Sequence, residues 1–238
     1  QFTTPEVNAH DFRLADDLDL RVTVHVGDGY WGKSGPIRKM HADGQLSDRV
    51  TYVHCCTLGD DELQMIADSG GTASVAPDVE MQMGHGFPAT GRLLKHGIRP
   101  TFSIDVCSSN GGHMFGTMRT AIGMQRALDN APGVETGEVI ERIDLSCADV
   151  IQFATIDGAR AAGLDAVTGS LEVGKAADLV ILDDSPLGMI PMNNPFGAVV
   201  YNAHPGMVRD GVVAGNRVQK DGKLDGVDMP KLRAMAQE

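Results

Sequence analysis

The sequence lacks several features that would assign it to a broad functional class. No apolar run approaches the roughly 20 residues that span a bilayer, and no charged start followed by an apolar segment indicates a secretion signal. Basic tracts are absent and the formal net charge is -12, whereas nucleic-acid binding needs clustered Lys and Arg. We therefore expect a cytoplasmic protein with neither a membrane nor a nucleic acid as partner.

Cysteine is scarce, and its spacing excludes the common zinc ribbons. The four cysteines are Cys55, Cys56, Cys107 and Cys147, and no two of them form a C-x-x-C pair. We expect them to be reduced thiols. The glycine-rich stretches near residues 27 and 111 also lack the spacing of phosphate-binding loops.

A repeating alternation of short apolar runs and amphipathic segments dominates the first part of the chain. Strands are predicted at 20–25, 49–54, 72–77 and 99–105, and helices at 35–44, 59–71, 87–97 and 111–130. This spacing is typical of successive βα units with a parallel sheet. Eight such units form a (β/α)₈ barrel of about 250 residues, so four units predict half a barrel.

The pattern changes after residue 130. A loop is predicted at 131–139 and a helix at 147–163, followed by short β runs at 169–183, 196–202 and 206–224 and a terminal helix. We therefore predict an α/β fold with two parts. Residues 1–165 would form the C-terminal half of a TIM-type barrel, and residues 166–238 part of a small β-sandwich and a tail.

Three of the four predicted strands end in a side chain that can bind a metal or move a proton: His25, His54 and Asp105. Catalytic groups of parallel α/β folds lie at the carboxyl ends of the strands. A single histidine there is more often a core residue, but three such ends in neighbouring units favour a site. Neutral imidazoles and a carboxylate are suitable ligands for a divalent ion that activates water.

Further polar candidates follow the strand ends. Asp28 follows Gly27, at which the first predicted strand can turn into a loop. Asp28 could accept and return a proton, or it could equally be a plain turn aspartate. The predicted loop 78–86 contains Glu80 and His85, which are candidates for substrate contact. Trp31 could stack on a planar substrate or simply cover the rim of the barrel.

Five segments together resemble the amidohydrolase superfamily, in its deaminase and chlorohydrolase branch. They are VTVHVGDG (22–29), YVHC (52–55), FSIDVCSSN (102–110), FATIDGARAAGL (153–164) and TGSLEVGKAADLVILD (168–183). The last is the most specific and is similar to the return from the barrel to the small sandwich. The resemblance extends from about residue 20 to residue 224.

The resemblance implies a role for each strand-end residue. His25 corresponds to the metal-binding histidine of the fifth barrel strand, and His54 to the sixth-strand histidine that polarises the substrate or assists the water. Asp105 matches the eighth-strand aspartate that contacts the metal and the hydrolytic water. Asp28 stands where deaminases usually have a glutamate, so its side chain is one methylene shorter.

One family motif is missing. The H-x-H pair that supplies two further metal ligands occurs nowhere in the chain, and neither do the first four βα units. Three explanations remain open: the chain is a piece of a longer protein, it is a truncated product in which two copies pair, or it is a remnant that binds no metal. The expected partners are the N-terminal half of the same protein and further copies in a homo-oligomer, because a half-barrel exposes sheet edges.

The predicted function is metal-dependent hydrolysis of a C–N or C–Cl bond in a heterocyclic small molecule. One divalent ion is expected, zinc or alternatively iron, with His25 and Asp105 as its ligands in this chain. His54, Asp28 and Asp105 would act in catalysis. The alternatives are an amide or cyclic-amide hydrolase on the same scaffold and a non-catalytic fragment.

Overall fold

The first half of the protein is built on a parallel four-stranded sheet. The structure is a computed structural model and describes residues 3–237. The strands are β1 (Val22–Val26), β2 (Val50–His54), β3 (Thr72–Val75) and β4 (Thr101–Phe102), and they pair in the order β1-β2-β3-β4. The four predicted strands are confirmed, although β3 ends two residues early and β4 is short.

Residues 3–237 contain ten α-helices, and the first eight connect or cover these strands. The ten helices are α1 (Pro5–Asp17), α2 (Pro36–Ala42), α3 (Asp60–Ser69), α4 (Pro77–Gln82), α5 (Thr90–Lys95), α6 (Met114–Thr136), α7 (Cys147–Phe153), α8 (Ile156–Ala161), α9 (Pro195–Gly197) and α10 (Met229–Met235). Helix α3 shows how the sequence defines a helix. Three acidic residues in its first turn interact favourably with the positive end of the helix dipole, and Gly70 at φ +73° ends the helix. No helix among residues 3–237 has the length and apolar character needed to cross a membrane.

The core lies between the parallel sheet and its helices. Strand β2 supplies fully buried Tyr52, which packs in one cluster with Leu63 and Ile66 of α3. On the β4 side, Phe102 meets Phe153 edge to face, with ring centroids 5.6 Å apart. Burial on this scale fixes the strand register, because a shift by one residue would turn every side chain to the opposite face.

A second, antiparallel sheet follows. Its strands are β5 (Leu179–Leu182), β6 (Val208–Val213), β7 (Asn216–Lys220) and β8 (Lys223–Leu224), in sequential order. The predicted β runs at 206–224 are confirmed, whereas the run at 169–183 contains only β5. The α/β class is therefore confirmed. The half-barrel, the sandwich and the division of the chain into residues 1–165 and 166–238 stay predictions. Residues 1, 2 and 238 of these two predicted ranges lie outside the part that the structure describes.

Three local predictions away from the candidate site are wrong. Residues 196–202 were expected to form a β run but are helical, because Asn194 caps the turn through Gly197 N and Pro195 starts it. The expected loop 131–139 is helical to Thr136, since α6 ends at Gly137 (φ +73°) rather than at its internal proline. The single helix predicted at 147–163 is broken into α7 and α8.

Candidate active site

The strand-end side chains gather at one edge of the parallel sheet. Val26 of β1 pairs with His54 of β2, so the carboxyl ends of the two strands are level. The rings of His25 and His54 have centroids 5.5 Å apart. His25 is exposed on an edge strand, whereas His54 is 2% exposed. The two strand-end histidines therefore lie side by side, while their roles stay predictions.

Two of the predicted site residues have strained backbones. His54 has a φ of +74° and is followed by Cys55 at +59°, and Asp105 has a φ of +60°. A left-handed conformation outside glycine costs about 1–3 kcal/mol and tends to persist where function requires it. Asp105 lies three residues beyond β4 and is exposed, and its negative charge is one of the influences that raise the pKa of His54.

The loop after β1 holds Asp28 in the interior. Asp28 is 7% exposed and lies between Gly27 (φ +73°) and Gly29 (φ +54°). The Thr57 hydroxyl lies 2.8 Å from the carbonyl oxygen of Gly27 and 2.6 Å from that of Gly29. Gly29 N also donates to the carbonyl of His85 (2.8 Å), which ties this loop to the one following α4.

Glu80 is the partner of His54. The Oε1 atom of Glu80 lies 3.1 Å from His54 Nδ1 and also accepts a hydrogen bond from Ala76 N (2.7 Å). Burial lowers the pKa of His54, but the Glu80 hydrogen bond and charge, together with the charges of Asp28 and Asp105, outweigh it and raise that pKa above its usual range. An imidazole with a raised pKa takes up a proton more readily than a free one, so His54 can accept a proton and return it to a bound molecule.

His85 completes the cluster from the other side. Its ring meets that of His54 edge to face at 5.1 Å, and its Nδ1 is buried without a hydrogen-bond partner among the described residues. Among residues 3–237, one group has the donors for a metal: Asp28, His54 and His85, with one ligand atom from each within 4.8 Å of the others. This set of imidazole and carboxylate donors fits a divalent ion such as zinc.

The predicted residues divide between this cluster and its surroundings. His25 and Asp105, the predicted ligands, lie outside the group of three, and both are exposed. Trp31 is half exposed and lines a cleft of about 570 Å³ with Val24 and Met40. Because side chains alternate along a strand, this cleft lies on the opposite face of β1 from His25.

Glu80 lies in an environment that differs from the sequence-based prediction. Residues 78–86 were predicted to be an exposed loop, but α4 begins at Pro77, and Glu80 is 0% exposed. The signal was present, because proline favours the first helical position and acidic residues the first turn. Burial also raises the pKa of the Cys55 and Cys56 thiols, so these neighbours stay protonated at neutral pH and are poor metal ligands.

Comparison with known proteins gives a consistent family match. The model of the amidohydrolase family matches residues 3–218. The 5-methylthioadenosine/S-adenosylhomocysteine deaminase 1 of Syntrophus aciditrophicus is 30% identical over 220 residues, covering 89% of this chain and 47% of that protein. The 5'-deoxyadenosine deaminase of Methanothermobacter thermautotrophicus is 29% identical, covering 94% of this chain and 52% of that protein. The chain spans about half the length of the curated relatives it matches.

Solved structures agree with this match. A zinc-containing adenosine deaminase from Xanthomonas campestris superposes with a TM-score of 0.89 at 28% identity, covering 99% of this chain and 54% of that one. The atrazine chlorohydrolase TrzN from Arthrobacter aurescens, complexed with zinc, gives a TM-score of 0.85 at 22% identity, covering 98% of this chain and 51% of that one. The latter likeness concerns the fold alone.

Proposed function

The chain belongs to the amidohydrolase family, and we propose that it forms part of a metal-dependent hydrolase acting on a C–N or C–Cl bond of a heterocyclic small molecule. Deamination is the favoured reaction, because the curated relatives are deaminases of adenosine-type nucleosides. The observation that carries the proposal is the cluster of His25, Asp28, His54 and His85 at the carboxyl edge of the sheet.

In this proposal, His25 and Asp105 provide metal ligands from this chain, as the family resemblance implies, and further ligands come from outside it. The group of Asp28, His54 and His85 then lies beside the ion and serves proton transfer and substrate contact. The ion, zinc or alternatively iron, supplies the Lewis acidity that brings the pKa of a bound water towards neutrality. The exposed position of His25 on edge strand β1 supports a shared site, because another segment can reach an exposed ring at a sheet edge. We propose that this segment belongs to the N-terminal half of the same protein, within a homo-oligomer.

The buried pair Asp28 and His54 would handle the protons. Replacing a ring amino group by oxygen consumes one water and releases ammonia, so a proton must pass from the water to the leaving amine. A carboxylate and an imidazole beside the ring can accept and return that proton. Asp28 and His54 contribute atoms to the same compact group, which supports this division of roles.

The substrate contacts come from the surrounding loops. His85 carries a buried ring nitrogen without a described partner and would hydrogen-bond the substrate. Trp31 lines the cleft on the opposite face of β1 from His25, so this proposal gives it no contact with the substrate. Glu80, the third predicted contact, is fully buried, so its contribution would pass through His54 rather than through direct contact.

The test is a substrate panel with the protein that carries this chain. Ammonia release from 5'-deoxyadenosine and S-adenosylhomocysteine is measured beside chloride release from a chlorotriazine and ring opening of a cyclic amide. We expect ammonia from at least one nucleoside, and a strong loss of turnover in Asp28→Asn. Ring opening of the cyclic amide alone would indicate the alternative hydrolase. Failure of the complete gene product to bind a metal would indicate a non-catalytic fragment.

A further inference from the structure

We propose that Glu80 is a positioning residue: it holds the His54 ring through Nδ1 and thereby presents Nε2 to the substrate. This role rests on the proposed function, in which His54 meets the substrate. Nothing in the family match or in the relatives assigns a role to Glu80.

The hydrogen-bond geometry fixes which ring nitrogen carries a proton. Glu80 Oε1 accepts from Ala76 N at 2.7 Å and lies 3.1 Å from His54 Nδ1. A carboxylate oxygen only accepts, so Nδ1 must be the donor. The hydrogen bond to Glu80 therefore keeps the proton of the neutral imidazole on Nδ1. Nε2 then has a free lone pair and is the nitrogen available to the substrate.

Neither partner can readily turn away. Glu80 is 0% exposed and sits in the first turn of α4, where Pro77 fixes the start of the helix. His54 is 2% exposed and has left-handed φ, and the next peptide is held by Cys55 N donating to the carbonyl of Val26 (2.9 Å). An imidazole whose far nitrogen is held by a carboxylate is the usual way to orient a catalytic or metal-binding histidine.

A second buried glutamate shows what a purely structural carboxylate looks like in this protein. Glu62 is 1% exposed, and its two oxygens accept from Ile37 N (3.0 Å) and Gly59 N (3.2 Å). Both hydrogen-bond donors are backbone groups, and the Arg38 guanidinium lies 3.7 Å from Oε2, so Glu62 joins α2 to the start of α3. In Glu80 one backbone partner is replaced by an imidazole, and Oε2 has no hydrogen-bond partner among the described residues. Glu62 is therefore the matched control.

The experiment uses the protein that carries this chain, labelled with ¹⁵N in its histidines, and compares E80Q, E80M and the control E62M. Ring ¹⁵N spectra report which nitrogen of each histidine is protonated, and H54Q identifies the His54 signals. We expect Nδ1–H in the wild type. E80Q should keep it, because the glutamine carbonyl still accepts, whereas E80M should shift His54 towards the Nε2–H form. E62M should lose stability and leave the His54 signals unchanged.

Turnover gives a second readout. Loss of a carboxylate behind a functional histidine lowers activity by roughly 10–100-fold, so E80M should lower kcat by that factor with a smaller change in KM, and E80Q should recover most of it. An unprotonated Nδ1 in the wild type, or His54 signals unchanged in a folded E80M, would overturn the role of Glu80. If the spectra behave as expected but no substrate of the panel is turned over, the positioning stands and the proposed function fails.

Discussion

The substitution Gly27→Ala tests whether the loop that carries Asp28 is as tightly constrained as the structure indicates. Gly27 has a φ of +73°, and a Cβ there would lie 2.8 Å from Leu58 Cγ and 3.2 Å from the Cys55 carbonyl carbon. Left-handed backbone costs an L-residue about 1–2 kcal/mol, and overpacking a core costs about 1–3 kcal/mol. Because Leu58 is 2% exposed, it has little room to move. We therefore expect G27A to lose about 2–5 kcal/mol of unfolding free energy.

Gly44→Ala is the matched control. Gly44 has a similar φ of +68°, but a Cβ added there would meet nothing within 4 Å. G44A should therefore lose only the backbone cost of about 1–2 kcal/mol. Urea unfolding followed by circular dichroism gives both free energies, with the slope as a check on two-state behaviour. If G27A unfolded at the same urea concentration as G44A, Leu58 would not confine the loop, and the fixed position of Asp28 would lose its support.

Three further predictions concern groups around the site and in the core. Thr57→Val should cost about 1–2 kcal/mol, measured by urea unfolding, because it removes the hydroxyl that lies close to the two glycine carbonyls flanking Asp28. Burial raises the pKa of Tyr52 from 10.0 to about 12, so stability should be intact below pH 10 and fall by about 2 kcal/mol as the pH rises to 12. Y52F should lack this pH dependence. Asp157→Asn should cost about 1–3 kcal/mol by the same unfolding assay, since buried Asp157 accepts from Arg99 (3.0 Å) and Arg160 (2.6 Å).

The sequence was sufficient to predict the strand ends of the parallel sheet. His25 and His54 close apolar runs whose spacing marks βα units, and parallel strands bring such ends to one edge. Local pattern could not give the contacts that depend on distant segments. The approach of His85 to His54 joins residues about 30 positions apart through a loop whose shape is set by Gly84 and Gly86, both at positive φ.

The wrong predictions at 196–202 and 78–86 have local causes. The run at 196–202 contains two valines and two aromatic residues and therefore resembles a strand, but the preceding Asn194 and Pro195 form a helix start that overrides this propensity. The polar segment after β3 predicts a loop around Glu80, although proline followed by acidic residues is itself a helix signal. In both cases the capping residues were more informative than the composition of the segment.

The central claim is that the strand ends of this chain contribute to a catalytic metal site. The most direct test of this claim is the amount of tightly bound zinc per chain, measured in the protein that carries this chain. The wild type is compared with H25A and with the control H41A, since His41 is exposed on α2. We expect close to one zinc per chain in the wild type and in H41A, and far less in H25A, because a catalytic zinc generally needs about three protein ligands. An H25A protein with the zinc content of the wild type would contradict the account.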